Sequence, residues 1–270
     1  MGGGGWRTRP VMAFVHIQKT AGTSLITILR NSFGIGHLEV RTLDRSPEAV
    51  FSAADLAVVT RVSPWVKSIC GHEIVEPTAH LPDRFLPYTI LREPVARTLS
   101  HFEDKQRRGR EPPTLEAFLA DPANQNFQVR KIAGGEDLEK AKRLLAEAYL
   151  FVGVQERFDE SVRALAALAP WRIDLRYMPS NVFESREIRD RLRADPEVMA
   201  RFREINALDA ELHGWVSREL YPAFLAKAGN PPADPLPTLP PGRRTLRYRA
   251  SRFWQRSAYR YALKFARALG

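Results

Sequence analysis

The sequence predicts an α/β protein in which a parallel sheet is covered by helices on both faces. Three short apolar runs, 11–17 ("VMAFVHI"), 87–93 ("PYTILRE") and 149–156 ("YLFVGVQE"), are rich in β-branched and aromatic residues and read as buried strands. Each is followed by a stretch with helical spacing of apolar residues, and strands alternating with helices build parallel sheets. The 270 residues, 44% hydrophobic and 27% charged, suffice for one main domain with a substantial core and an appendage.

Each element has a local reason. The strand at 11–17 is bounded by Pro10 and a polar loop. Residues 23–33 place Leu25, Ile28 and Leu29 on one helical face, with Gly34 as the stop. A helix is expected over 47–61 and a brief strand over 67–71. The strand at 87–93 leads through Pro94, at a first helical position, into a helix over 95–108. Helical patterns follow at 114–120 and 137–148, then at 157–169 behind the third strand, and a long one at 196–220. The proline-rich "NPPADPLPTLPPGRR" (230–244) reads as a stiff extended linker. The expected organisation is a flexible N-terminus (1–9), a domain (10–228), the linker (229–242) and a tail helix (243–270).

The net charge of +10 belongs to the tail. Residues 243–270 hold nine Lys/Arg and no Asp/Glu, which leaves residues 1–242 at a net +1. On a regular helix Arg252, Arg256, Arg260, Lys264 and Arg267 form one stripe. Trp254, Ala258, Tyr261, Ala262, Phe265 and Leu269 lie beside and opposite it, while Phe253 and Leu263 fall among the basic residues. A basic stripe facing an apolar one predicts peripheral contact with an anionic membrane, docking on the domain being the plain alternative. No basic patch in the body argues for nucleic acid. The single cysteine, Cys70, excludes an internal disulfide and gives no metal-binding spacing. No apolar run is long enough to span a bilayer, and "MGGGGWRTRP" lacks the apolar core of a secretion signal. Trp6 stands where a myristoylation site wants Ser or Thr. The expected location is the cytoplasm, with peripheral attachment at the inner membrane face.

Between the first strand and the first helix lie Lys19, Thr20, Ala21, Gly22, Thr23 and Ser24. A strand, a short glycine-containing loop and a helix make an anion site, because first-turn N–H groups lack intrahelical partners and the helix dipole adds positive charge. Gly22 permits close approach of a phosphate, the three hydroxyls add donors, and Lys19 adds a full charge. The fold class is thus P-loop-like. A nucleoside-triphosphate loop would place lysine directly after its last glycine, whereas here lysine precedes the glycine by three.

"HIQKTAGTSL" closely resembles the phosphosulfate loop of the sulfotransferases that use 3′-phosphoadenosine 5′-phosphosulfate (PAPS), in particular the carbohydrate branch containing the heparan sulfate 2-O- and 6-O-sulfotransferases. Gln18 departs from that pattern by replacing a proline. "YTILREPVARTLSHF" (88–102) resembles the family's 3′-phosphate motif, with Glu93 where aspartate is commoner. "NFQVRKIAG" (126–134), "FVGVQERFDESV" (151–162) and "INALDAELH" (205–213) are softer matches, so the resemblance spans roughly residues 10–225. It implies the sulfotransferase fold and transfer of a sulfonyl group from PAPS to a hydroxyl of a carbohydrate or glycolipid, with no metal. It implies that Lys19 and the loop 19–24 hold the 5′-phosphosulfate, and that Arg92 and Ser100 hold the 3′-phosphate. A planar guanidinium and a helical hydroxyl suit that group. Arg97 is a structural or secondary anion contact, and Asn126 and Arg130 either face the acceptor or serve in the core or at the surface.

Such a transfer needs a base for the acceptor hydroxyl. Of the six histidines, His72 in "SICGHEIVE" follows a strand at the sheet edge that carries the loop, and a histidine in similar context serves the heparan-type enzymes. Glu73 is the second candidate, and His16 is expected to support the loop. Two other readings stay open: a sugar or nucleoside kinase with Glu156 as its metal-holding acid, and a non-catalytic anion- or membrane-binding protein.

Overall fold

Strand β1 (Val11–Val15) runs through the middle of a five-stranded, all-parallel sheet that contains β2 (His37–Glu39), β3 (Ser68–Gly71), β4 (Phe85–Leu91) and β5 (Phe151–Val154) in the order β2-β3-β1-β4-β5. The computed structural model describes residues 9–46, 48–108, 111–177, 187–240 and 243–269. Residues 1–8 of the expected N-terminal arm, 241–242 of the linker and Gly270 of the tail lie outside them. Every β1 residue is fully buried, as a central strand covered on both faces requires. The chain leaves β1 for one side of the sheet (β2, β3) and then crosses to the other (β4, β5). The loop after β1 therefore sits at the switch point, where open α/β sheets bind ligands.

The first helix, α1 (Gly22–Phe33), buries Leu25, Ile26, Ile28 and Leu29 and stops at Gly34. The next, α2 (Ala53–Val62), begins later than the sequence pattern indicates, and Pro47 is outside the described residues. Its start is set by a capping box: Asp55 N–H donates to the Ser52 hydroxyl, and the Asp55 carboxylate accepts Ser52 N–H. A short α3 (Pro77–His80) follows β3, and α4 (Pro94–Arg108) follows β4 with proline as its first residue. The long pattern at 196–220 breaks into Pro196–Glu204 and Ala207–Trp215. The break sits at fully buried Asn206, whose amide donates to Phe202 O and whose carbonyl accepts from Thr98 Oγ1. Helices at Phe127–Ala133 and Glu187–Arg193, and strand β2, have no counterpart in the sequence reading.

The basic tail is helical over Leu246–Trp254 and Arg260–Leu269, joined by a π turn at Gln255–Tyr259. It packs on α1 and α2 and reaches edge strand β2 at Glu39. Gln255 brackets Glu39 by accepting its N–H and donating to its carbonyl, and the Tyr259 hydroxyl accepts Arg41 N–H at 3.0 Å. Trp254 Nε1 donates to Ser63 Oγ. The docked residues Ser251, Gln255, Tyr259 and Leu263 repeat every four positions. That spacing drifts by about 40° per step on a regular helix, and the wider π turn takes up the drift. A uniform helical wheel therefore misplaces Leu263, which belongs to the docked face, whereas Phe253 points outward with the basic residues, 70% exposed. Among the described residues, no helix is long and apolar enough to cross a membrane.

Candidate active site

Backbone register decides what surrounds the loop. Val15 pairs with Gly71 on β3 and Phe14 with Tyr88 on β4. The residues just past the strands then fall side by side: His16 next to His72 on one flank, and the loop next to Arg92 on the other. Three sequence-predicted groups, far apart along the chain, meet at one sheet edge.

The loop is tightly built. Thr20 is fully buried and donates its hydroxyl to Ile17 O at 2.9 Å, so its side chain closes the turn and leaves its backbone as the ligand-facing part. Lys19 (φ 70°) and Ala21 (φ 63°) both adopt left-handed conformations, each costing an L-residue about 1–2 kcal/mol. Alternating left-handed residues curl successive N–H groups into an anion-binding concavity. The ring of His16 lies directly over Gly22, where an added Cβ would meet Nε2 at 1.9 Å. Thr23 is exposed and Ser24 buried at the start of α1. Lys19 Nζ pairs with Asp104 of α4 at 3.3 Å. Burial lowers the pKa of this lysine, and the Asp104 charge opposes the shift.

On the β4 flank, Arg92 Nη1 donates to Lys19 O at 2.9 Å, tying the second motif to the first. Its backbone is clamped by Gln128, which accepts Arg92 N–H and donates to Arg92 O. Gln128 and Val129 N–H both donate to the fully buried Asp209 carboxylate. The softer segments 126–134 and 205–213 thus work together to hold Arg92. Glu93 accepts Val95 and Ala96 N–H and so caps α4 in the place where aspartate is commoner. Ser100 lies two turns along α4. Arg97 is fully buried and over the Phe127 ring, and burial pulls its pKa down to about 10. Arg92 Nε and Arg97 Nε and Nη1 are buried without an acceptor among the described residues. That donor set fits a phosphate. Asn126 and Arg130 do not join the site: Asn126 Oδ1 accepts Leu208 N–H, and Arg130 donates to Pro122 O.

On the β3 flank, the His72 ring stacks on His16 with centroids 4.0 Å apart, and His16 stacks in turn on Phe14. His72 Nδ1 donates to His16 O at 2.9 Å, which leaves Nε2 as the basic nitrogen. Burial lowers the pKa of both histidines, so both are neutral at pH 7. Glu73 pairs with Arg41 at 2.9 Å, which engages its Oε1. Two neighbours escaped the sequence reading. Asp104 carries no motif, and Lys131 lies one residue beyond the highlighted Arg130. Lys131 Nζ donates to His72 O, and burial brings its pKa down to about 8. The stretch "VRKIAG" held the only signal for it.

The chain was compared with protein-family models and with curated proteins, and it matches none of them.

Proposed function

We propose that the protein is a PAPS-dependent sulfotransferase acting on a hydroxyl of a carbohydrate or glycolipid. The observation that carries this reading is the register that puts the Lys19 loop between Arg92, just past β4, and His72, just past β3. An anion cradle, a guanidinium for a second phosphate and a neutral imidazole with its basic nitrogen defined are the three groups such a transfer uses. His72 Nε2 takes the proton of the acceptor hydroxyl as that oxygen bonds to sulfur. The bond from sulfur to the phosphate oxygen breaks in line, and its electron pair stays on the leaving phosphate. Lys19 and the loop N–H groups stabilise that charge. Arg92 and Ser100 bind the 3′-phosphate, and the nucleotide lies toward β4 with the acceptor toward β3.

The kinase reading needs Glu156 to hold a metal ion. Glu156 instead accepts Glu93 N–H and lies 3.4 Å from His213 Nε2, roles at the start of α4. Titration with 3′-phosphoadenosine 5′-phosphate (PAP) and with ATP–Mg²⁺ tests the two against each other. Saturable binding of PAP is expected, and binding of ATP–Mg²⁺ with none of PAP would overturn the sulfotransferase reading. Because Arg92 also braces the loop, Ser100→Ala is the cleaner probe of the 3′-phosphate site. It should weaken PAP more than adenylyl sulfate, which lacks that group.

The tail supports a cytoplasmic protein held peripherally at the inner membrane face. Leu246, Phe253, Tyr261 and Phe265 are 67–80% exposed on its outer face, flanked by exposed Arg256, Arg260 and Lys264. Each basic residue near an anionic surface contributes about 1 kcal/mol. Co-sedimentation with phosphatidylglycerol vesicles should be lost in Phe253→Ser/Phe265→Ser, whose docked face is untouched. Equal sedimentation of that variant and the parent would refute membrane attachment through this face.

A further inference from the structure

Between β2, β3, α1 and the tail helix lies a cleft of about 340 Å³ that opens beside His72 on the flank away from Arg92. Its walls include His72, Glu73, Arg41 and Arg30 from the domain, and Tyr248 and Arg252 from the tail. The tail residues are integral to it. Arg30 Nη1 donates to the Tyr248 hydroxyl at 3.1 Å, and its guanidinium lies over the Tyr248 ring. Tyr248 is itself 5% exposed.

We propose that the C-terminal helix is one wall of the acceptor site, with Tyr248 and Arg252 reading a saccharide that bears a single negative substituent. This deepens the sulfotransferase reading and rests on it for the identity of the reacting hydroxyl. Two features of the cleft define the ligand chemistry. Arg30 is 9% exposed, and its Nε is a buried donor without an acceptor among the described residues. Glu73 Oε2 is a buried acceptor without a donor among the described residues. A ligand that satisfies both must accept from Arg30 and donate to Glu73, as the hydroxyls of a sugar do and a simple anion does not. The charges set the rest. Arg30 pairs with Glu39 and Arg41 with Glu73, whereas Arg252 has no carboxylate partner among the described residues. One guanidinium in excess of the carboxylates leaves room for one negative group on the ligand, and a planar fork suits a carboxylate or sulfate. A sugar lying along this wall presents a hydroxyl to His72, which lines the same cleft.

The test uses full-length protein, with and without saturating PAP, and two probes: a uronate-containing disaccharide and its neutral hexose counterpart, followed by calorimetry or saturation-transfer NMR. The parent is expected to bind the uronate probe more tightly. Arg252→Ala should weaken that probe at least about tenfold while leaving the neutral probe and PAP unchanged, and Arg252→Lys should restore part of the loss. Tyr248→Phe, which keeps the packing but removes the hydroxyl partner of Arg30, should weaken both probes. Parent-like binding of both probes by Arg252→Ala would overturn the proposal, as would failure of the parent to bind either. Failure of PAP alone to bind would count against the nucleotide reading, and the saccharide titration without PAP would still decide this one.

Discussion

Replacing Gly22 by alanine puts one methyl group into the most crowded point of the site. The new Cβ would lie 1.9, 2.3 and 2.8 Å from Nε2, Cδ2 and Cε1 of His16, so the ring or the loop must move by about 1 Å. Neither moves freely. The ring is stacked between Phe14 at 5.2 Å and His72 at 4.0 Å, and the loop already holds Lys19 and Ala21 in left-handed conformations. Overpacking of this kind costs about 1–3 kcal/mol. At about 2–4 °C per kcal/mol for a domain of this size, Gly22→Ala should melt about 4–8 °C below the parent if the cost is near 2 kcal/mol. Displacing His16 also shifts the carbonyl that orients His72, so sulfonyl transfer should fall further than stability does. The assay is thermal melting of four proteins: parent, Gly22→Ala, His16→Ala and the double variant. Removing the imidazole removes the clash, so alanine at position 22 should cost little in the His16→Ala background. An equal cost in both backgrounds, or a parent-like melt of Gly22→Ala, would refute the claim that the ring dictates this glycine.

Lys19→Ala should lower turnover by about 10²–10³-fold with the fold intact, because a single lost charge-stabilising group has that effect; near-normal turnover would remove Lys19 from the mechanism. Burial lowers the pKa of His72 below its ordinary value of 6.5, so kcat/KM should hold down to about pH 6.5 and fall only below it. An acid limb starting above pH 7 would exclude a neutral His72 as the base. Stability should follow a similar sign through His37, which is 1% exposed and whose pKa is brought down to about 3 by burial. Its contribution is complete above pH 6.5 and is lost as the pH falls toward 3, at about 1.4 kcal/mol per unit. Denaturant unfolding at pH 7.5 and pH 5 should show that loss in the parent and a smaller one in His37→Gln. Tyr259→Ala, which empties a fully buried site under the tail, should cost about 3–5 kcal/mol in the same experiment.

What could be read from the residues was whatever has a short-range cause. The strands β1, β4 and β5 announce themselves because strands buried on both faces are continuous apolar runs, and Pro94 and Gly34 punctuate their helices locally. Strand β2 escaped because its three residues, one of them histidine and one glutamate, are too short and polar a run to mark a strand, which they form by pairing with β3. The motif residues Lys19, Arg92 and His72 were legible because each follows a strand and carries chemistry that a core does not need. Asp104, Lys131, Tyr248 and Arg252 were not, since their meaning lies in contacts across 59 to more than 200 residues of chain. Thr20 shows the opposite error. Its hydroxyl suits a phosphate by type, yet the fold spends it on Ile17 O.

The π turn at Gln255–Tyr259 makes the tail two lengths of helix set out of phase, with the turn acting as a clutch between them. Deleting one residue from this turn would restore regular α geometry without changing the phase, because Leu263 would then lie eleven positions after Ser251, about 20° from it around the axis, and would stay docked. A deletion beyond the turn has no such slack and would rotate Leu263 off the domain by about 100°, while Tyr248 and Arg252, upstream, would keep their places in the cleft wall. The turn therefore makes its own stretch of the tail tolerant of a one-residue change of chain length, and the surface beyond it is free to vary without touching the pocket.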